Sequence, residues 1–132
     1  MTLIVCLDQK GGMLFNNRRQ TLDYELVNII AKSFSDIHIS HFSEKYFQGA
    51  KCKISSNPFL EATEESTVFL EDTGAIDYIE KIDRLIIYRW DCVYPADTYF
   101  DITPKEVGFR LCGKVKFSTK VHADIVKEIY KK

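Results

Sequence analysis

The sequence predicts an α/β domain in which a mostly parallel sheet is closed at its C-terminal edge by an antiparallel strand pair. Three observations carry this reading. Leu3 to Leu7 is a continuous apolar run of the kind that is buried on both faces of a sheet. Between Thr21 and Phe34 the residues Leu22, Leu26, Val27, Ile29, Ile30 and Phe34 recur at helical spacing. Thr67–Leu70, Ala75–Ile82 and Arg84–Trp90 read as strand, helix, strand, an order that implies a crossover between parallel strands. At 132 residues, 45% of them hydrophobic, the chain has the size of one domain with one core, so residues 1–132 are taken as a single unit.

Each element has a local cause. The first strand ends at Asp8-Gln9-Lys10-Gly11-Gly12, where glycine tolerates the positive φ of a turn. Thr21 is the expected N-cap of the helix, with Asp23 and Glu25 in its first turn. Ile37–Ser40 alternates like a short strand, and Ser40–Phe47 returns to helical spacing. Gly49 to Glu65 is polar and contains Pro58, which predicts a loop with at most one short edge strand. In the short helix over Ala75–Ile82, Ile76, Ile79 and Ile82 share a face. Beyond Tyr94-Pro95, strand-like segments lie near Val107–Leu111 and Ile125–Tyr130, separated by polar residues around Lys114–Lys120. The last segment reads equally as helix or strand.

Charge and composition narrow the function. Eighteen Lys and Arg against nineteen Asp and Glu create no bulk field for nucleic acid or an anionic membrane, and neither partner is expected. The opening Met-Thr-Leu-Ile-Val-Cys reaches Asp8 without a basic leader or a spanning run, which predicts a cytoplasmic protein. Cys6, Cys52, Cys92 and Cys112 form no Cys-x-x-Cys pair and read as buried, reduced structural thiols. The only histidines are His38, His41 and His122; the first two straddle a strand-to-helix junction, so no metal site is expected. No local signature of a nucleophilic Cys or Ser is present.

Arg84-Leu-Ile-Ile-Tyr88, a short loop, Asp97-Thr-Tyr-Phe-Asp101 and a final Glu128-Ile-Tyr130 follow one another down the chain. In order and spacing they resemble the late strand, the Asp-Thr-Tyr-Phe-Pro-type segment and the terminal strand of the dihydrofolate reductase family. Gly12-Met13, the acid Asp23 on the next helix and Ile37–Phe47 agree more loosely. The resemblance covers most of the chain. It has a gap near residues 49–65, where that family spends more residues on a helix and strand that help to hold the cofactor.

The resemblance implies a three-layer sandwich around the sheet and a pocket bounded by the first strand, Asn16–Asp23 and the strand carrying Tyr88. It places Asp23 as the counterpart of the acid that binds and helps to protonate the pterin. Asn17, Arg18 and Arg19 stand where the family has its mobile substrate loop, and a guanidinium there suits an oxyanion. Tyr88 replaces a commonly found Thr beside the acid and would narrow the pocket.

One departure bears on the cofactor. Reductases of this type seat the dinucleotide pyrophosphate on a glycine-rich turn at a helix start, where amides and the helix dipole welcome negative charge. The corresponding turn here reads Glu71-Asp72-Thr73-Gly74. Like charges ~4 Å apart repel by roughly 1 kcal/mol in water and about 4 kcal/mol at a surface-like dielectric. Acids also favour helix starts with no further meaning. Ser40-His41-Phe42-Ser43 likewise lacks the basic residues that would grip a cofactor phosphate.

Three readings of function follow. The first is a binding or regulatory module for an unidentified small molecule, without reductase activity and without a cofactor. The second is a divergent reductase of a pteridine-like substrate that uses NADPH or a flavin, with Asp23 handling the proton. The third is a protein-interaction domain, homodimeric or with a foreign partner, presenting the aromatics around Trp90, Tyr94, Tyr99 and Phe100.

Overall fold

The computed structural model describes residues 1–132. In chain order it contains β1 (Thr2–Leu7), β2 (Gly12–Phe15), β3 (Arg18–Arg19), α1 (Tyr24–Ser33), β4 (Ile37–Ser40), β5 (Lys53–Ser55) and α2 (Pro58–Glu61). There follow β6 (Thr67–Phe69), β7 (Arg84–Trp90), β8 (Thr98–Tyr99), β9 (Arg110–Phe117) and β10 (Ile125–Lys131). Single 3₁₀ segments lie at His41–Ser43, Ile76–Lys81 and Pro104–Val107.

Seven strands form the main sheet in the order β5-β4-β6-β1-β7-β10-β9. β1 lies at its centre, parallel to β6 and β7, and β10 runs antiparallel to both β7 and β9. Successive strand residues face opposite sides, so the apolar run of β1 feeds two cores at once. Ile4 joins Leu26, Val27 and Ile30 of α1, together with Ile37, Phe69, Ile86 and Tyr88. Leu3, Val5 and Leu7 face the other way, toward Phe59 of α2, Ala75 and Ile82. Helical elements on both faces of a mostly parallel sheet with an antiparallel C-terminal pair are the predicted fold class. No helix is long and apolar enough to cross a membrane.

Several local expectations are corrected. α1 starts at Tyr24 and its N-cap is Asp23, not Thr21: the Asp23 carboxylate accepts from the Leu26 amide. Ser40–Phe47 makes one 3₁₀ turn and then irregular turns, without an α-helix. Residues 49–65 hold the expected edge strand β5 and also α2, capped by Asn57 with Pro58 in the first turn, a local helix-start signal. The Ala75–Ile82 segment is 3₁₀ and buries Ala75 and Ile82 while leaving Ile76 exposed. Val107 ends a 3₁₀ turn, and β9 runs from Arg110 straight through the polar lysines, because an edge strand leaves its side chains in solvent. The ambiguous C-terminal segment is the strand β10.

A second, three-stranded sheet in the order β3-β2-β8 arises where only a loop was expected. Asn16 and Asn17 both adopt positive φ, 50° and 58°, the backbone of a type I′ hairpin turn, which asparagine tolerates better than most residues. The hairpin folds back over the C-terminal end of β1, and that is where the site is built.

Candidate functional site in a self-occupied cleft

The end of β1 is organised by Asp8. Its carboxylate is fully buried and accepts from the amides of Lys10, Gly12 and Tyr94 and from the Gln20 side chain. Burial works to raise this acid, but the four donors outweigh it and hold its pKa below the ordinary carboxylate value. A side chain at Gly12 would meet Asp8 Oδ2 at 2.6 Å and Ala96 Cβ at 2.8 Å, so only glycine fits this approach. One carboxylate thereby ties the hairpin and the 94–96 loop to the central strand.

Arg19 turns inward from β3. Its Nε donates to Glu71 Oε2 at 2.6 Å and its Nη2 donates to Glu71 Oε1 at 2.8 Å and to the Phe42 carbonyl at 2.9 Å. The guanidinium lies over the rings of Phe42 and Tyr46, 4.8 and 4.4 Å from their centroids. Ser43 donates a further bond to Glu71. Burial pushes the Glu71 carboxyl up, and the Arg19 guanidinium and the Ser43 hydroxyl pull it back without cancelling the shift. Glu71 is therefore not a free negative charge facing outward, as the electrostatic argument from the sequence assumed. Asp72 does lie at the surface side of the turn and accepts from Ser40 at 3.2 Å.

Behind Arg19 the remaining space is about 20 Å³, bounded by Cys6, Met13, Tyr46, Trp90 and the ion pair. That is room for about one water molecule. Burial raises the Cys6 thiol well above its ordinary value, with Glu71 and Asp23 adding to the effect, which favours the neutral thiol.

Asp23 is fully buried at the start of α1 and both of its carboxylate oxygens are engaged. Oδ1 caps Leu26, while Oδ2 accepts from the Thr119 hydroxyl at 2.5 Å and from His122 Nδ1 at 2.8 Å. A carboxylate only accepts, so His122 carries its proton on Nδ1, and Nε2 is left to accept the Tyr94 hydroxyl at 3.0 Å. The imidazole stacks on Trp90 with centroids 4.2 Å apart. The β9–β10 connection is thus latched onto the N-terminus of α1, and a hydrogen-bonded chain runs from Asp23 through His122 to Tyr94.

The turn after β6 is occupied in the same manner. The Asp101 carboxylate accepts from the Ala75 amide at 2.8 and 3.0 Å and from the Ile76 amide at 3.1 Å. A Cβ at Gly74 would collide with Asp101 Oδ2. The depression over this turn, about 310 Å³, faces the carboxylates of Asp72, Asp77 and Asp101.

No family model matches the chain, and no curated protein matches it. Solved structures do: 221 chains match. One is dihydrofolate reductase from Enterococcus faecalis complexed with NADP(H) and RAB-propyl. It superposes with a TM-score of 0.66 over 99% of this chain and 95% of that chain, at 11% sequence identity. The fold is dihydrofolate-reductase-like.

On this dihydrofolate-reductase-like fold the residues singled out from the sequence separate into groups. Arg19 and Glu71 come together in the cleft, whereas Asp72, Thr73 and Gly74 line the depression over the turn that follows β6. Asp23 sits with Thr119, His122 and Tyr94. Asn17 is at the exposed hairpin tip and Arg18 points to solvent from β3. Tyr88 is buried in the core beneath α1, against Phe117 and Lys127, away from the arginine pair, and burial pushes its hydroxyl up. No group of three His, Cys, Asp or Glu side chains is placed to hold a metal ion.

Sequence reasoning missed Asp101, Thr119 and His122 as members of the site. For Asp101 a signal existed, since it departs from the proline of the Asp-Thr-Tyr-Phe-Pro pattern. For Thr119 and His122 there was none.

Proposed function

We propose that this chain keeps the dihydrofolate-reductase-like fold without dinucleotide-dependent reductase chemistry and works as a ligand-binding domain. The observation that carries the reading is Asp101: its carboxylate already holds the amides of the turn where this fold would seat a pyrophosphate. A dinucleotide would have to displace an internal anion and then face Asp72 and Asp77 across the same depression. The residues present do not fit NADPH, and no reaction step is derived through it.

Two further facts agree. The cleft where a reducible ring would lie is filled by Arg19 and its partner Glu71. The acid that would serve the proton, Asp23, is spent on Leu26, Thr119 and His122.

Titration of the purified chain with NADPH, followed by the emission of Trp90, is expected to give no saturable change below about 1 mM. Dihydrofolate with NADPH is expected to give no turnover. Micromolar saturable binding, or measurable turnover, would overturn the reading.

A further inference from the structure

The Tyr94–His122–Asp23 chain does not end in the core. Tyr94 lines an open groove of about 470 Å³ between the β2–β3 hairpin and the 94–95 loop, together with Phe15, Asn16, Gln20, the exposed Arg18 and the Glu71-paired Arg19. Arg18 is exposed, and no hydrogen bond or ion pair engages it. The groove therefore has one uncommitted guanidinium, two amide side chains and a phenol whose proton is tied to a buried histidine.

We propose that this groove binds an oxyanion-bearing ligand, held by Arg18 and the Tyr94 hydroxyl, and that binding draws one proton from solvent onto His122. The proposal rests on the reading of the chain as a ligand-binding domain. A phenol has a single proton to donate, and with the His122 proton on Nδ1 facing Asp23 the Tyr94 proton is directed to Nε2. For Tyr94 to donate to an anion, Nε2 must instead become a donor to the phenol oxygen. His122 is then protonated on both nitrogens, with Asp23 accepting on one side and Tyr94 on the other. The proton balance is one taken up for each anion bound, and no bond to carbon or phosphorus is made or broken.

The surroundings favour this proton over others. Asp23 faces the imidazole from α1 and supplies the counter-charge, Thr119 adds a donor to the same carboxylate oxygen, and Trp90 of β7 covers the ring. Cys6 and Tyr46 are the other titratable groups near Asp23, the Tyr46 hydroxyl accepting from the Asp23 amide, and burial holds both in the neutral form. Around Tyr94 stand Cys92, Thr21 and Asp91, and Asp8 takes its backbone amide. Burial, with Cys92 and Asp91, pushes the Tyr94 hydroxyl up, so the phenol stays a proton donor and does not itself become an anion.

Inorganic sulfate is the probe, because its charge is constant over the range in which an imidazole titrates. The full chain is titrated with sulfate by calorimetry at fixed ionic strength from about pH 8 to about pH 6. Saturable binding is expected, tightening by up to about tenfold per pH unit, the limit for one linked proton. Trp90 emission should fall on binding, since a protonated imidazole quenches the indole it stacks on. Arg18→Gln, on an exposed side chain, should weaken binding about tenfold at every pH and keep the pH slope. Tyr94→Phe and His122→Gln should each flatten the slope, with native folding checked by near-UV circular dichroism.

Absence of saturation at about 50 mM sulfate at the lowest pH would overturn the proposal. So would binding equal at both ends of the pH range, or binding that Arg18→Gln leaves intact. The NADPH titration reads the parent reading separately: cofactor binding would remove the non-reductase assignment whether or not sulfate binds.

Discussion

Arg18 and Arg19 are neighbours in a two-residue strand, and they belong to two regions with opposite characters. Beneath the hairpin, the cleft is closed: Arg19 meets Glu71, Asp23 meets His122, and Asp101 meets the amides of the following turn. Above it, the groove is open and Arg18 has no partner. Both arginines reach the wall of the groove, but strand alternation turns the Arg19 guanidinium inward onto Glu71 and leaves Arg18 in solvent. The contrast teaches that two identical side chains differ in function through the face they occupy. One guanidinium is structural because it is matched by Glu71 and half-buried; the other is available because it is exposed and unpaired.

The sharpest way to break this contrast is to truncate each arginine in turn. Arg19→Ala leaves a buried Glu71 without its counter-charge and should cost about 3–5 kcal/mol in urea unfolding. Arg18→Ala should stay within about 0.5 kcal/mol of the parent. Equal losses would show that the two regions are not distinct. The double change Arg19→Met with Glu71→Leu should recover most of the single loss, because an apolar pair needs no compensation.

Next in size is the latch on α1. Asp23→Ala removes a helix cap and leaves Thr119 and His122 without their acceptor, for an expected loss of about 2–4 kcal/mol. A loss below about 1 kcal/mol would place the strength of the closed region elsewhere.

Asp8 joins both regions, and its depressed pKa sets a pH dependence. The folded value lies below the unfolded one, so the unfolded chain binds more protons between the two and stability rises with pH there. The Asp8 contribution is complete above about pH 4 and is lost as pH falls through the folded value. Asp8→Asn should cost about 1–2 kcal/mol at neutral pH. That gap should close below about pH 4, and a gap that stays constant into acid would contradict the assignment.

Smaller effects sharpen the picture at the edges. Asp101→Ala should cost about 1 kcal/mol, read as a lowered melting temperature, because it frees two amides of one short turn. Asn17→Gly should stabilise the hairpin by a few tenths of a kcal/mol, since an Asn-Gly pair suits the positive φ of this turn. The sulfate response should survive that change.

Much of the fold was legible in the sequence, and the reasons are local. The run in β1, the spacing in α1 and the strand, helix, strand order ending in β7 each express burial as a periodicity. The failures are equally physical. Thr21 lost the cap to Asp23 because a carboxylate that also holds two distant partners, Thr119 and His122, outweighs a hydroxyl. The β2–β3 hairpin was read as a loop because Asn16-Asn17 lacks the glycine that marks such turns. β9 was placed too early because its lysines read as a break, although an edge strand tolerates charge.

For the site, the ionisable residues could be picked out, but not their partners. Arg19 and Glu71 are 52 residues apart, Ala75 and Asp101 are 26 apart, and Asp23 and His122 are 99 apart. The chain alone determined which faces would be buried, because hydrophobic periodicity acts over a few residues. Only the tertiary structure decided which charges were neutralised and which stayed open, because a charge is compensated by whatever the fold carries to within a few ångströms of it, and no local pattern encodes that approach.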